Sequence, residues 1–212
     1  MGIDRAPVYM NLESALLNVG TFWLLLTPHE YAHAWVADRL GDDTPRREGR
    51  LTLNPLAHVD WIGTVLLPAL SSLFGFGFLG WGKPVNTNPY ALRGGLNGLA
   101  LVALAGPLSN VLLALLLGAV ARLASGSVPA VADFAGLGVF LSLYLALFNL
   151  LPVPPLDGSK LLLAARIPVV VYQELARFGF LLLIVAMSVS NLGRWLSQGS
   201  YWGARQILGL FW

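Results

Sequence analysis

The sequence predicts an all-α polytopic membrane protein with about four full transmembrane helices, a re-entrant apolar hairpin over roughly residues 61–89, and a C-terminal interfacial segment. The first observation is composition: 56% of the 212 residues are hydrophobic and only 11% are charged, against about 25% charged residues in an average soluble domain. The second is distribution, because residues 61–82, 94–121 and 134–156 carry no charge at all. Apolar runs of about 20 residues match the hydrocarbon core of a bilayer.

The same numbers exclude several other classes of protein. The chain has too much apolar sequence to be disordered, and a net charge of +2 is too small to indicate nucleic-acid binding. It has no cysteine, which excludes thiolate metal ligands. We expect one membrane-embedded domain over residues 1–212, with the lipid bilayer as its surroundings and no nucleic-acid partner.

The first half of the chain contains one long helix and one broken apolar stretch. The helix is predicted from about Tyr9 to Leu40, as a retained segment and not a cleaved signal peptide, and it stops at Gly41. Residues 42–58 are polar. Residues 61–82 are apolar, but Pro68 and four glycines interrupt them.

The second half alternates apolar helices with short breaks. A polar turn region over residues 83–95 precedes two predicted helices, residues 96–123 and 131–151, which a Gly/Ser/Pro connection separates. The second helix runs into a proline-rich break that ends in Gly158. A last helix is predicted over residues 169–192, and the tail, residues 194–212, is rich in Trp and Tyr, which favour the membrane interface.

The chemistry-bearing motif lies in the first helix and reads His29-Glu30-Tyr31-Ala32-His33. Residues four apart share one helix face, so both imidazoles can reach one metal ion. Neutral imidazole suits zinc. Glu30 is rotated away from the face that the two histidines share, so it can act as a general base on a metal-bound water. Three ionisable groups inside an apolar helix are costly unless they are functional, which favours a metal site.

A catalytic zinc site normally takes a third protein ligand. Asp157 is the first candidate, because it follows 23 uncharged residues and lies in irregular backbone, which is tolerated at membrane depth only where it lines a cavity or is buried in protein. The alternative for Asp157 is a cap for a helix over residues 159–166. His58 and Asp60 are the rival ligands.

These residues resemble the site-2 protease family of intramembrane zinc metalloproteases. The HExxH motif is similar to the family's, residues 105–110 (AGPLSN) resemble its GPxxN element, and residues 148–158 (FNLLPVPPLDG) resemble its NxxPxxPLDG element. Residues 49–55 and 80–86 resemble the compact bacterial and archaeal branch, which lacks PDZ-like and nucleotide-sensing CBS modules.

The resemblance implies one Zn²⁺ per chain, held by His29, His33 and Asp157, with Glu30 as the catalytic acid and base. It places Asn149 and Asn110 on the family's motif asparagines. Either could orient the substrate or stabilise the oxyanion, or could instead make hydrogen bonds between helices.

A shared zinc site constrains the topology. If residues 61–82 crossed the membrane, three crossings would separate the end of the first helix from Asp157. A re-entrant hairpin leaves two crossings and closes the site on one side. That side would carry eight basic residues, whereas the connection over residues 124–130 carries none. The positive-inside rule then predicts an active site on the cytoplasmic side, in what we expect to be a prokaryotic inner membrane.

The implied activity is hydrolysis of peptide bonds within or near transmembrane segments of membrane proteins, with the substrate added as a strand to an edge in residues 76–89. Two alternatives stay open at this point. One is a non-proteolytic metal-binding protein or metal carrier. The other is a prenyl-protein-processing type of protease, for which Glu174 would be the third ligand. The oligomeric state and the substrate's identity cannot be read from the sequence.

Overall fold

The computed structural model describes residues 12–74 and 80–211, and within them the chain forms eight α-helices and no β-strand. The predicted helix start at Tyr9, the tip of the predicted hairpin at residues 75–79 and Trp212 lie outside the described residues. The helices are α1 Leu12–Arg39, α2 Thr44–Arg47, α3 Leu67–Phe74, α4 Leu96–Ala124, α5 Pro129–Asn149, α6 Gly158–Ala164, α7 Val169–Val189 and α8 Leu192–Gly209.

Three of these helices are long and apolar enough to cross a membrane. They are α4 with 29 residues, α5 with 21 and α7 with 21. Helix α1 is also long, with 28 residues, but it contains the polar HExxH motif. An α-helix rises 1.5 Å per residue, so each of the four exceeds or approaches the roughly 30 Å of the hydrocarbon core.

The centre of the molecule is a three-helix packing of α1, α4 and α5. Phe22, Leu25 and Leu26 of α1 form a buried cluster with Leu145 of α5. Further along the same helices, Ala37 of α1 packs with Leu99 and Val102 of α4. This arrangement buries the middle of α1, which is where its polar motif lies.

The apolar stretch after Asp60 packs against α1 and returns to its starting point. A π-helical turn, Trp61–Leu66, continues into α3. Beyond the undescribed tip, the amide of Trp81 donates to the carbonyl of Gly63 at 3.0 Å, and the amide of Lys83 donates to the carbonyl of His58 at 3.0 Å. Both ends of the segment therefore lie side by side, as expected for a hairpin.

Polar contacts fix the returning strand-like segment, residues 80–88, against the loop after α1. The buried guanidinium of Arg50 donates to the carbonyl oxygens of Lys83 at 3.2 Å and Pro84 at 3.0 Å, and also to that of Ala57. The fully buried carboxylate of Asp42 accepts a hydrogen bond from the amide of Asn88 at 2.6 Å. These polar contacts thus anchor the return segment to the loop after α1.

The last two helices pack unequally. Helix α7 buries only Gly179 and Leu183. Helix α8 runs antiparallel along α5, with Ile207 in one buried cluster with Val139. Its outer face exposes the aromatic residues Trp195, Tyr201 and Trp202. The location of this tail at a membrane interface stays a prediction.

Candidate metal centre

Three predicted ligands from two distant parts of the chain meet between α1, α4 and the start of α6. The Nε2 atoms of His29 and His33 lie 3.0 Å apart. The Oδ2 atom of Asp157 lies 3.1 Å from the first of them and 3.0 Å from the second. All three side chains are buried. Among the residues described, these three form the one group of His, Asp or Glu side chains with metal-site spacing.

The partner of the other ring nitrogen of His29 sets its tautomer. His29 Nδ1 lies 2.6 Å from Oδ1 of Asn110. The Nδ2 amino group of Asn110 faces the carbonyl of Leu25 at 3.2 Å and the hydroxyl of Ser142 at 3.3 Å, and that hydroxyl donates to the backbone carbonyl of Asn110 at 2.8 Å. Since Nδ2 donates to these two acceptors, Oδ1 must accept, and Nδ1 of His29 must carry the proton.

His33 is fixed in the same way by a backbone group. Its Nδ1 atom lies 2.7 Å from the carbonyl oxygen of Val102 on α4. A carbonyl only accepts, so Nδ1 donates, and in the neutral ring that a metal ligand requires Nε2 keeps its lone pair. Two imidazole lone pairs and a carboxylate oxygen therefore face one another in a buried space, an arrangement that repels itself unless a cation lies between them.

The geometry fits a zinc ion. Ligands about 2.0 Å from one tetrahedral zinc ion would lie roughly 3.3 Å apart, close to the 3.0 to 3.1 Å separations found here. Gly106 supplies the room. A Cβ atom on this residue would overlap Nε2 of His33 and lie 2.6 Å from Nε2 of His29. We interpret this glycine as part of the centre, where the GPxxN pattern alone indicates only close helix packing.

The centre opens onto a cleft of about 390 Å³. Glu30 lines the cleft and is 7% exposed. It is adjacent to the return segment, since a Cβ atom on Gly82 would lie 3.2 Å from Oε1 of Glu30. Glu30 is outside the ligand cluster and lines the space next to it.

The walls of the cleft differ in polarity. One part is apolar and includes Leu26, Leu145 and the edge-to-face pair of Trp81 and Phe180, whose ring centroids are 5.6 Å apart. Another part offers polar side chains, namely Thr87, Asn149 and Lys160. The cleft can therefore accept an apolar chain and still offer a polar route for water.

The second oxygen of Asp157 has a partner of its own. Oδ1 accepts a hydrogen bond from Nζ of Lys160 at 2.9 Å. Burial works against the charged form of this lysine, but the carboxylate beside it outweighs that effect and raises the pKa of Lys160 above its usual range. Asp157 occupies the N-cap position of α6, but its side chain makes no capping hydrogen bond, so its carboxylate does not serve as a cap.

The rival ligands occupy structural positions. His58 is fully buried, and its Nε2 donates to the carbonyl of Thr52 at 2.8 Å. Asp60 caps the π-helical turn, accepting from the amides of Ile62 at 3.0 Å and Gly63 at 2.8 Å. Glu174 is exposed on α7. None of the three belongs to the cluster of ligand atoms.

The two motif asparagines lie in different places. Asn149, the last residue of α5, lines the cleft, and its Nδ2 donates to the carbonyl of Leu145 at 3.0 Å. Asn110 is fully buried and uses its carboxamide between α1, α4 and α5. Sequence reasoning missed Ser142 and the carbonyl of Val102. Lys160 is one of the eight basic residues in the topology argument and was given no role at the site, although its spacing of three residues from Asp157 could have indicated contact.

Searches of known proteins found relatives across most of the chain. One is provisionally named as the zinc metalloprotease YwhC, from Bacillus subtilis, and is 36% identical over 187 residues, covering 83% of this chain and 81% of the relative. Two others are provisionally named as the zinc metalloprotease Rip2. That of Mycolicibacterium smegmatis is 36% identical over 187 residues, and that of Mycobacterium tuberculosis H37Rv is 35% identical over 189. Each alignment covers 85% of this chain and 70% of the relative.

No family model matches the chain. No solved structure matches it either.

Proposed function

This chain belongs to the site-2 protease family, and from that premise we propose that it is an intramembrane zinc metalloprotease. It hydrolyses peptide bonds within or near transmembrane segments of membrane proteins. One observation carries the proposal: two imidazole lone pairs and one carboxylate oxygen converge at 3.0 to 3.1 Å beside a cleft that Glu30 lines. His29, His33 and Asp157 hold one zinc ion per chain in this proposal.

The apolar helices and the hairpin support a site within the membrane. If α4 and α5 each cross once, Asp157 returns to the side on which α1 ends. The adjacent ends of the hairpin, joined by the Trp81 and Lys83 amides, add no further crossing. The polar loops that carry most basic residues then face the cytoplasm, and the cleft opens on that side. With α1 as the fourth crossing helix, the total is about four.

Zinc, when bound, supplies a Lewis acid that polarises the substrate carbonyl and makes water more acidic. Glu30 accepts a proton from the attacking water and donates it to the leaving amine. Asn149 offers its remaining amide hydrogen to the carbonyl oxygen as negative charge develops there. Asn110 contacts no substrate in this account and acts through His29, whose ring it orients.

The return segment supplies the place for the substrate backbone. Its amides at positions 81 and 83 both bond to the far side, which is the alternation of an extended strand. Gly82 between them lines the cleft, and from the alternation of an extended strand we expect its peptide groups to face the cleft. A substrate helix must unwind before its backbone can react, and an unwound segment can add to this edge as a further strand.

Replacing the proposed acid and base tests the proposal. We expect Glu30→Gln to lose cleavage of membrane-spanning reporter fusions but to keep its zinc, because Glu30 is not a ligand. Glu174→Gln, a matched change at an exposed glutamate of α7, should leave both unchanged. Cleavage that persists in Glu30→Gln contradicts the assignment. Zinc uptake into vesicles without cleavage, insensitive to Glu30→Gln, would instead identify a carrier.

Topology can be tested separately because the native chain has no cysteine. A single cysteine introduced as Thr87→Cys at the cleft should react with a membrane-impermeant thiol reagent only from the cytoplasmic face. Ser127→Cys, in the connection between α4 and α5, is the matched control and should react from the opposite face. External labelling of position 87 contradicts the proposed orientation.

A further inference from the structure

The two carboxylate oxygens of Asp157 have different partners, and Lys160 is the partner of one of them. Its Nζ atom lies 2.9 Å from Oδ1, whereas Oδ2 faces Nε2 of His29 at 3.1 Å and of His33 at 3.0 Å. The two residues are three positions apart at the start of α6, a spacing that brings helical side chains together. The lysine thus holds the carboxylate from the side away from the imidazoles.

A buried carboxylate needs such a partner. The side chain of Asp157 is 9% exposed and that of Lys160 is 29% exposed, so the pair is largely removed from water. An ionised carboxylate in such surroundings is costly unless it is paired and hydrogen-bonded. Neutral imidazoles do not fill this role, because their Nδ1 atoms donate to Asn110 and Val102 and their Nε2 atoms carry lone pairs.

We infer that Lys160 is a positioning residue that restricts Asp157 to a single metal-facing oxygen. A carboxylate free to turn can present both oxygens to a zinc ion and occupy the position that a catalytic site keeps open for water or substrate. The hydrogen bond to Oδ1 prevents this and orients Oδ2 before the ion arrives. The inference rests on the proposed zinc site, and it assigns a role to a residue that the proposed reaction does not otherwise use.

Zinc affinity gives the first readout. Partners of metal-ligating side chains typically contribute about 10- to 100-fold to metal affinity, so we expect Lys160→Met to weaken Zn²⁺ binding by about that factor in chelator competition. Lys160→Arg should restore most of it, since guanidinium also donates to a carboxylate. Arg47→Met, at an exposed cation paired with Asp43 on the surface, is the control for loss of charge and should bind Zn²⁺ like the wild type.

Coordination gives the second readout, which a merely structural lysine would not move. With Co²⁺ in place of zinc, the visible spectrum distinguishes four-coordinate from five-coordinate metal. We expect the wild type and Lys160→Arg to give the four-coordinate spectrum and Lys160→Met to shift toward five-coordinate. If Lys160→Met does not yield folded protein, Lys160→Gln replaces it in the same comparison.

The outcomes separate this inference from the proposed function. Wild-type protein that binds no Zn²⁺ contradicts the proposed function itself. Zinc binding that Asp157→Ala abolishes but Lys160→Met leaves unchanged refutes the inference alone. An unchanged Co²⁺ spectrum in Lys160→Met, or a failure of arginine to restore affinity, refutes it as well.

Discussion

The ligand cluster and the return segment border the same cleft but are held in opposite ways. In the cluster, each ligand side chain makes a hydrogen bond to a second group that holds it in position. These groups are Asn110 for His29, the Val102 carbonyl for His33, and Lys160 for Asp157. In the return segment, residues 80–88, backbone groups make hydrogen bonds to the preceding loop and turn. The face of Gly82 lines the cleft.

The difference follows from what each region must do. A metal site depends on fixed ligand positions, and partners of the ligands supply them. A strand edge that accepts a substrate must keep backbone groups unpaired until the substrate binds. If this comparison is right, changes in the cluster alter bound metal, whereas changes in the return segment alter cleavage without altering the metal.

The largest expected effect comes from Gly106. We expect Gly106→Ala to abolish both zinc binding and cleavage, because the added methyl group would occupy the space between His29 and His33. The measurement is bound zinc per folded chain. Gly118→Ala is the control on the same helix, since the atoms nearest to its Cβ atom would be side-chain atoms of Ile207 and Phe211, the nearest at 2.8 Å. Normal zinc content in Gly106→Ala would show that this glycine is not part of the metal site.

Gly82 tests the return segment. A methyl group there would lie 2.6 Å from Cδ2 of Leu26 and 3.2 Å from Oε1 of Glu30. Misplacement of reacting groups by about 1 Å can cost about 100-fold in rate, so Gly82→Ala should lose cleavage on that scale and keep its zinc. Loss of zinc in this variant would contradict the claim that changes in the return segment leave the bound metal unaltered.

A smaller effect is expected at Asn110. Asn110→Ala removes the acceptor that fixes the tautomer of His29, and zinc affinity should fall about tenfold. Chelator competition measures it, with Asn149→Ala as the comparison because Asn149 lines the cleft and contacts no ligand. Equal zinc affinity in both variants would contradict the positioning role of Asn110.

The smallest effect on the site itself is expected at Arg50, because this residue is not part of the lining of the cleft. Arg50→Met leaves the carbonyl groups of Ala57, Lys83 and Pro84 without this donor, at a cost of about 1–3 kcal/mol for each group that stays unsatisfied. The return segment should loosen, so we expect a lower melting temperature and a higher KM with unchanged zinc content. An unchanged KM would mean that Arg50 does not support the substrate edge.

The two regions also differ in how far the sequence predicts them. Helix α4 was predicted over residues 96–123 and is found at Leu96–Ala124, because a long uncharged run between turn residues leaves little choice. The HExxH spacing indicates His29 and His33, and Asp157 is the first of few candidates for the third ligand, but only the resemblance to the family implies the full set. Their meeting at 3.0 to 3.1 Å agrees with that assignment.

The partners of these ligands could not be predicted in the same way. Backbone carbonyls such as that of Val102 carry no residue-type signal, and Ser142 reaches Asn110 only through the packing of α5 on α4. The hairpin followed from Pro68 and the glycines, but its pairing of residue 81 with 63 and of 83 with 58 depends on contacts between distant backbone groups.

Metal content with and without Asp157 tests the central claim most directly. Purified wild-type protein should carry about one zinc ion per chain, as a site with three protein ligands implies. Asp157→Ala should lose it while keeping its helical content. Zinc that remains at the wild-type level in Asp157→Ala would contradict the account.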